Sequence, residues 1–355
     1  MSRVRRYIDA DVLSEARRRI IHINELHDTI AVMFSGGKDS LVALHLVHEV
    51  LLSLGDTRPL NVVFRDEELI QDEVIDFVDT YRRMDWIRML WFTVPLRSHI
   101  YTLGITRGYV QWDPTRPWVR KKPPWGISLP DGDDRVFDQY SMDAFTARYF
   151  SGKIAFITGI RAAESLMRFR AAVNKLNDNY INGVSDPAAR NVALCKPLFD
   201  WSENDVLKYL HDNEITYCPL YDHQMWAGGN LRVSTPLHAE AARNFHRLSA
   251  TSPGFYDRVV QVFPEMLAHE RYGADMDRKA VQRQYGETIG GVLSWINEFI
   301  TDEDELALAL KRYHSVALRH QRQPEAYPAA YILNAFMSGA FKREIMNISP
   351  KAARG

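Results

Sequence analysis

The sequence predicts an α/β fold: a doubly wound, mostly parallel sheet followed by a C-terminal helical domain. Two observations support this prediction. Short apolar runs alternate with longer segments of helical periodicity through the first half of the 355 residues, and strand patterns disappear from Pro236 onward. Strands that alternate with helices are typical of parallel sheets covered by helices. We therefore expect a sheet domain over 1–235 and a helical domain over 236–355.

Each element follows from its local pattern. Residues 9–27 place apolar side chains at helical spacing, and residues 29–34 form a short apolar run typical of a buried strand. An apolar helix follows Ser40. The further predicted elements of this domain are strand 60–64, helix 71–83, strand 87–94, strand 153–159 and helix 162–175. The helices predicted for the second domain are 237–250, 254–270, 278–300, 303–319 and 328–341.

Charge and hydropathy exclude several classes of protein. The chain has 44 Lys and Arg against 45 Asp and Glu, so it is not a strongly basic protein that coats nucleic acid. No apolar run approaches the roughly 18–20 residues that a membrane span needs. The N-terminal segment lacks the apolar core of a secretory signal, so we expect a cytoplasmic protein.

The cysteine count limits the chemistry further. Cys195 and Cys218 are the two cysteines of the sequence, and they form no Cys-x-x-Cys pair. A disulfide framework and an iron–sulfur cluster held by four thiolates are therefore excluded, and a structural zinc finger is disfavoured. Lone cysteines are more often buried apolar residues than nucleophiles, so we assign neither of them a catalytic role.

One motif joins the first strand to the next helix: Ser35-Gly36-Gly37-Lys38-Asp39-Ser40. Two glycines allow a tight turn that aims N–H groups at an anion, and the helix directs its positive end to the same point. Lys38 adds a full charge, and the two serines add hydroxyl donors. Asp39 is a candidate ligand for Mg²⁺ that bridges phosphates. We predict a phosphate-binding loop with Lys38 and Asp39 as candidate catalytic residues.

The alternative is a structural joint, in which two glycines and a serine cap merely connect a strand to a helix. The spacing differs from the Walker A pattern G-x-x-x-x-G-K-[ST], which disfavours a P-loop NTPase. The hexapeptide resembles instead the PP-loop signature of the ATP-pyrophosphatase superfamily. This resemblance implies an adenine nucleotide α-hydrolase-like fold that binds ATP or a related adenine nucleotide with Mg²⁺. Members that act on ATP typically cleave it between the α- and β-phosphates.

A second resemblance narrows the family. Residues 158–168 read TGIRAAESLMR, and residues 196–201 and 218–222 read KPLFDW and CPLYD. These segments resemble elements of phosphoadenylyl-sulfate (PAPS) reductases, which implies that ATP or a PAPS-like nucleotide contacts four residues: Arg161, Glu164, Ser165 and Arg168. The residues alone leave two interpretations open. Two arginines after a strand end can bind an anion, or they form a solvated helix face on which Glu164 pairs with Arg168.

The chain departs from that family in its thiols. Such reductases carry a C-terminal Glu-Cys-Gly-x-His nucleophile, and some add paired cysteines for an iron–sulfur cluster. This sequence has no cysteine after Cys218. A thiolate must attack sulfur in PAPS reduction. We therefore expect no iron–sulfur cluster and no true PAPS reductase activity.

Acidic residues follow the second predicted strand, where the family often has Asp-Thr-Gly: Asp66-Glu67-Glu68. Because that site usually lies near the adenosine, the resemblance implies that Asp66 contacts the ribose or a metal ion. The alternative is a solvated loop that leads into a helix N-terminus, where acidic residues are favoured.

Residues 111–137 interrupt the alternation of strands and helices. The segment is rich in Pro and charge, and its three tryptophans indicate an ordered structure rather than a disordered one. Aromatic and basic side chains interleave there, a combination suited to stacking on bases: Trp112, Arg116, Trp118, Arg120, Lys121, Lys122 and Trp125. The balanced charge of the chain favours the alternative, a lid whose tryptophans pack on the sheet edge.

Parts of this insertion and of residues 221–233 also resemble the IbrA type of PAPS-reductase-like proteins. These are co-activators of prophage gene expression that are often encoded beside a ParB/sulfiredoxin-like protein. The resemblance implies such a protein as partner. Three functions stay open: a Mg-ATP-dependent enzyme that cleaves between the α- and β-phosphates, a nucleotide-sensing regulator in prophage control or phage defence, and a subunit of a nucleic-acid-modifying, sulfur-transfer system.

Overall fold

A computed structural model describes most of the chain, namely residues 9–102, 105–164, 168–169, 180–184, 186–226, 233, 235–238, 242, 245–268, 278–300 and 302–348. The chain divides into two compact units. One comprises residues 1–98 and 110–234, and the other comprises residues 99–109 and 235–355. The domain limits 1–235 and 236–355 stay a prediction. The compact units differ from these predicted domains in one respect, since residues 99–109 belong to the same unit as the C-terminal residues.

The elements up to residue 226 alternate between strands and helices. The strands are β1 (Thr29–Met33), β2 (Leu60–Arg65), β3 (Ile87–Phe92), β4 (Leu96–Thr102), β5 (Ile105–Gln111), β6 (Ile154–Ile157), β7 (Ile181–Gly183) and β8 (Val192–Cys195). The helices are α1 (Val12–Leu26), α2 (Lys38–Ser53), α3 (Asp72–Arg82), α4 (Gln139–Ala147), α5 (Glu203–Asp212) and α6 (Leu220–Trp226).

Six of these strands form one sheet in the order β3-β2-β1-β6-β8-β7, and β4 pairs with β5 in a separate two-stranded sheet. All neighbours in the large sheet are parallel except β7 and β8. The chain runs outward from β1 to β3 and then returns to the other side of β1 at β6. The predicted doubly wound, mostly parallel sheet is therefore confirmed, and the strand order reverses between β1 and β6.

Both faces of the large sheet are buried. One face packs on α1, α2 and α3 through side chains such as Val32, Val62 and Val74. The opposite face packs on α4 through Val63 and Phe145. Successive residues of a strand point to opposite faces, so burial on both faces requires the continuous apolar runs from which these strands were predicted.

Seven elements in this part of the chain were not predicted from sequence: β4, β5, α4, β7, β8, α5 and α6. Strands β7 and β8 contain three and four residues, too few to show a period. Helix α4 begins at a capping box of Asp138 and Ser141. The predicted helix over 162–175 starts as a 3-10 turn, Ala162–Glu164, and its residues 165–167 and 170–175 lie outside the described part.

The second unit is helical after residue 236, as predicted. Its helices are α7 (Phe245–Thr251), α8 (Pro253–Val262), α9 (Arg278–Tyr285), α10 (Ile289–Phe299), α11 (Glu303–Arg322) and α12 (Ala329–Met337), with 3-10 turns at Pro264–Met266 and Ala340–Lys342. The single helix predicted over 278–300 is wrong. Two helices occupy this range because Thr288 starts a new one, its hydroxyl accepting the Gly291 N–H at 3.0 Å. None of the helices in the described ranges has the length and apolar character needed to cross a membrane.

A buried carboxylate fixes the insertion that begins at residue 111. Glu68 is fully buried, and its two oxygens accept the backbone N–H groups of Trp112 at 2.6 Å and Val119 at 2.9 Å. The guanidinium of Arg116 donates to the same carboxylate at 2.7 and 2.8 Å. Glu68 and Trp112 both adopt positive φ, 22° and 51°, which non-glycine residues rarely do. The surrounding bonds therefore hold this part of the insertion in one conformation.

We expect Glu68→Ala to lower the free energy of unfolding by about 3–5 kcal/mol, because it leaves two buried N–H groups without their acceptor and the partly buried Arg116 without its carboxylate. Urea denaturation at neutral pH measures the change. Glu15→Ala is the matched control, since Glu15 pairs with Arg18 on the exposed face of α1. A Glu68 variant as stable as the control would show that the insertion is not held by this carboxylate.

Candidate functional site

The predicted phosphate loop lies between β1 and α2 and is shaped by its first glycine. Gly36 has φ +76°, a left-handed conformation that side chains disfavour. A Cβ atom there would lie 2.8 Å from Val74 and 3.0 Å from Val78, both on α3. The turn therefore requires glycine for its backbone angle and for the space beside α3.

Two serine hydroxyls close the loop. Ser40 Oγ accepts the Ser35 N–H at 3.1 Å and donates to the Gly37 carbonyl at 2.9 Å. The hydroxyl groups of Ser35 and Ser40 also lie 3.0 Å apart. These bonds hold the loop against the first turn of α2, which begins at Lys38, three residues earlier than the apolar pattern indicated. The loop is thus continuous with the positive end of a 16-residue helix.

The Lys38 side chain is 5% exposed and is surrounded by acids and an aromatic ring. Its Nζ lies 3.1 Å from Glu203 Oε1 and 3.7 Å from Asp39 Oδ2. It also lies 5.5 Å from the ring centre of Tyr221, and the Tyr221 hydroxyl accepts the Lys38 backbone N–H at 2.8 Å. Burial raises the pKa of Tyr221, so this phenol is protonated at neutral pH.

Asp39 connects the loop to the end of β6. Arg161, 5% exposed, donates from Nε to Asp39 Oδ1 at 2.5 Å. Its terminal nitrogen lies 3.5 Å from Glu164, which also pairs with Arg168. The structure therefore brings together four predicted residues: Asp39 of the phosphate loop, and Arg161, Glu164 and Arg168 of the segment after β6. Ser165, predicted beside them, lies outside the described residues.

The chain just after β6 approaches the phosphate loop closely at Gly159. A Cβ atom there would lie 2.5 Å from the Asp39 carbonyl carbon and 2.6 Å from the Ser40 nitrogen. Both motifs thus meet at the carboxyl ends of β1 and β6, where the strand order reverses. Open α/β sheets bind ligands at such a position.

Comparison with known families agrees with this geometry. The sequence model of the phosphoadenosine phosphosulfate reductase domain family matches residues 29–112 and 141–292, more than half of the chain. The chain belongs to this family. The matched residues include the PP-loop, the segment after β6 and both cysteines. Residues 113–140, which contain all but the first two residues of the insertion, lie outside the match.

Two curated relatives and one solved structure illustrate the similarity. The chain is 28% identical over 236 residues to the uncharacterized protein YbdN of Escherichia coli (strain K12), covering 62% of this chain but only 57% of YbdN. It is 22% identical over 213 residues to adenosine 5'-phosphosulfate reductase of Anoxybacillus flavithermus, covering 60% of this chain and 76% of that protein. FMN adenylyltransferase of Candida glabrata superposes with a TM-score of 0.40 and 14% identity, over 60% of this chain and 59% of that one.

Asp66, which was also predicted to contact the nucleotide, lies after β2. Its carboxylate accepts the Trp91 indole N–H at 2.8 Å and pairs with Arg120. Its carbonyl accepts the Trp112 indole N–H at 2.6 Å. Among the residues that the structure describes, these contacts join Asp66 to the insertion rather than to Lys38 or Arg161. Its assignment to ribose or metal stays a prediction.

The basic residues of the insertion have separate environments. Arg116 and Arg120 pair with the buried acids Glu68 and Asp66, so their charges are already compensated. Lys122 Nζ lies 4.7 Å from the Trp118 ring and 5.6 Å from the Trp112 ring. Trp112 is fully buried, as expected of a segment packed on the sheet edge, whereas Trp118 and Trp125 are 37% and 39% exposed. The compensated arginines weaken the interpretation of this segment as a nucleic-acid surface.

Neither thiol has the environment of a nucleophile. Cys195 and Cys218 are both free and fully buried. Burial raises the pKa of Cys195 to about 12 and that of Cys218 to about 11, so both are protonated at neutral pH. The reactive form of cysteine is the thiolate. These positions therefore support the expectation that the family's thiol chemistry does not occur here.

Two residues of the site were not predicted. Tyr221 appeared only within the CPLYD resemblance, and Glu203 follows the KPLFDW segment without any motif of its own. Ser202 caps α5 and places Glu203 in its first turn, where it reaches Lys38. A carboxylate in the first turn of a helix is ordinary, so no local signal distinguishes Glu203 from a capping residue.

We expect Gly159→Ala to destabilise the protein by about 1–3 kcal/mol, because the added methyl group overlaps the backbone at the start of α2. Gly183→Ala is the control, since no atom lies within 4 Å of the position of its added Cβ. Chemical denaturation of both variants measures the difference. Equal stabilities would contradict the close approach of β6 to the loop.

Proposed function

We propose that this chain binds Mg-ATP, or a related adenine nucleotide, and catalyses cleavage between the α- and β-phosphates as a pyrophosphatase or adenylyl transferase. The observation that carries this proposal is the meeting of two buried cations, Lys38 and Arg161, at the positive end of α2. Membership of the PAPS reductase domain family supports an adenine nucleotide as the ligand. We also propose a cytoplasmic location.

The loop would hold the leaving pyrophosphate. In the described structure the loop's donors already have partners within the protein: the Ser35 and Lys38 N–H groups donate to Ser40 and Tyr221, and the Ser40 hydroxyl donates to the Gly37 carbonyl. A bound phosphate would have to take over some of these donors, and Lys38 would supply charge where negative charge develops on the leaving group. Glu203 contacts Lys38 in the described structure, and its side chain is 54% exposed. A phosphate therefore replaces Glu203 at Lys38 with little cost, because the released carboxylate moves into water.

Arg161 would hold a second anionic group of the nucleotide. Its Nε is engaged by Asp39, whereas its terminal nitrogen is 3.5 Å from Glu164, a longer contact. The guanidinium can thus keep its bond to Asp39 while another edge faces the ligand. Arg168, whose side chain is 42% exposed, pairs with Glu164 and not with a loop residue in the described structure. It would therefore help to position Glu164 rather than hold the nucleotide itself.

Asp39 fits the requirement for a magnesium ligand. Mg²⁺ in nucleotide sites is usually held by one or two carboxylates together with phosphate oxygens and water. Asp39 Oδ1 accepts from Arg161, but Oδ2 has only a 3.7 Å contact with Lys38 and is available to a cation. The ion would neutralise phosphate charge there. In the described ranges no three His, Cys, Asp or Glu side chains are grouped for metal binding, so the phosphates must supply the other ligands.

A regulatory function is the second candidate. The resemblance to IbrA-type proteins suggests a ParB/sulfiredoxin-like partner and a role in prophage control or phage defence. The pairing of Lys38 with Glu203 favours it, since a nucleotide that displaces Glu203 would change the first turn of α5. Pyrophosphate release from Mg-ATP, measured with and without such a partner, separates the two functions. Nucleotide binding without turnover in either condition would support the regulator.

We expect Lys38→Ala to weaken nucleotide binding at least about tenfold, because it removes a charge-assisted contact to phosphate. Calorimetric titration with Mg-ATP measures the affinity. Lys208→Ala is the control, since Lys208 is exposed on α5 and pairs only with Asp212 among the described residues. Full retention of binding by the Lys38 variant would refute the assignment of the loop.

We expect Tyr221→Phe to weaken nucleotide binding by about three- to tenfold without unfolding the protein, because it removes the Tyr221 hydroxyl, which accepts the Lys38 N–H and can donate its O–H to phosphate. Tyr217→Phe is the matched control, since the Tyr217 hydroxyl donates to Asp222 and not to the loop. The same titration applies. Tighter binding by the Tyr221 variant would instead show that the hydroxyl competes with phosphate.

A further inference from the structure

Lys196 is a buried cation without an acidic partner. It follows β8 and is 7% exposed, and its Nζ donates to the Asn182 side-chain oxygen at 2.6 Å. No carboxylate pairs with it among the residues that the structure describes. Burial lowers the pKa of the Lys196 ammonium group. A neutral amide compensates a charge only in part, so this side chain costs free energy in the folded state.

The other buried cations of the same unit differ in this respect. Arg19 pairs with Asp200, Arg120 with Asp66, Lys38 with Glu203 and Asp39, and Arg161 with Asp39 and Glu164. Within the described residues of this unit, each of these cations thus has a carboxylate partner, whereas Lys196 has none. An uncompensated charge of this kind is a position where an anion from outside improves the free energy.

The position of Lys196 is that of a ligand-binding residue. Cys195, the residue before it, accepts the Thr158 N–H at 2.8 Å, so Lys196 follows the strand next to β6 at the edge that carries Arg161. Asn182 lies beside it on β7, and its amide nitrogen has no acceptor in the described part of the chain. The ammonium group of Lys196 and the side-chain NH₂ group of Asn182 are therefore neighbouring hydrogen-bond donors that one anion can contact.

We propose that Lys196 and Asn182 form a second anion subsite, which binds a carboxylate, phosphate or sulfate group of the acceptor substrate. The proposal rests on the proposed function, in that the nucleotide occupies the loop after β1. Strand β8 is two strands from β1, about 10 Å at the usual strand spacing. A second substrate anchored there reaches the α-phosphate from the side of β6, opposite β2.

Inorganic sulfate is the probe for this subsite. The thermal stability of the full chain is measured against sulfate concentration, at constant ionic strength set by chloride, in the Lys38→Ala background. This background removes the charge of the phosphate loop. We expect saturable stabilisation that becomes at least about tenfold weaker when Lys196→Met is added, because a charge-assisted contact is lost. Asn182→Ala weakens it in the same direction.

Two controls keep the result interpretable. Lys153→Met removes an exposed lysine at the opposite, amino edge of the same sheet and leaves the sulfate response unchanged. Without sulfate, Lys196→Met retains or raises the melting temperature, since it removes an uncompensated buried charge. An equal sulfate response with and without Lys196, or a loss of stability in Lys196→Met without sulfate, would overturn the subsite and leave the phosphate loop unaffected.

The anion at Lys196 could belong to a second substrate or to the nucleotide itself. A saturating, non-hydrolysable α,β-methylene analogue of ATP separates these two cases in the wild-type chain. Lys196-dependent sulfate binding that persists beside the analogue assigns the subsite to a second substrate. Loss of that binding when the analogue is added would overturn this assignment, since the nucleotide itself would then occupy Lys196. Failure of the analogue to bind at all contradicts the proposed function, whereas the sulfate titration in the Lys38→Ala background still reports on Lys196.

Discussion

The carboxylate of Asp39 is the group on which the arrangement of the site depends. It accepts Arg161 from the end of β6 and lies 3.7 Å from the ammonium of Lys38. Both cations are 5% exposed, and a buried charge that loses its partner destabilises a protein strongly. The same acid therefore holds the phosphate loop, the first turn of α2 and the strand end beyond Gly159 together. It also fixes the two cations at the point where the strand order of the sheet reverses.

The acids around Lys38 are not equivalent. Asp39 lies one residue from Lys38 in the same helical turn and is held by a buried guanidinium, whereas Glu203 comes from α5 with about half of its side chain exposed. An anionic ligand exchanges most readily with the acid that water can solvate. In the proposed function, phosphate would compete with Glu203 and leave Asp39 in place, and this would keep the geometry of the loop during exchange. Tyr221, buried and protonated, stays at the helix N-terminus throughout.

The sequence was informative where structure is local. The phosphate loop and the strands β1, β2, β3 and β6 follow from contiguous apolar runs and from one hexapeptide. The family resemblance singled out Arg161 as a nucleotide contact, but it did not predict the bond between Arg161 and Asp39 of the loop. The sequence did not show that Asp66 fixes the insertion, because its partners Arg120 and Trp91 lie 54 and 25 positions away in the chain. Likewise, Lys196 stands out only when burial is known, since its lack of an acid is a property of the folded neighbourhood.

Charged groups and thiols lie in different places in this fold, the cations at one edge of the sheet and both cysteines in the core. Cations follow three consecutive strands of the sheet, Lys38 after β1, Arg161 after β6 and Lys196 after β8, at the edge where ligands bind. Cys195, adjacent to Lys196, belongs instead to the core cluster that includes residues of α2, and burial keeps its thiol protonated. Exposing that thiol would require opening the sheet face on which the loop itself depends. The edge therefore concentrates positive charge where the proposed transfer between anionic groups would take place.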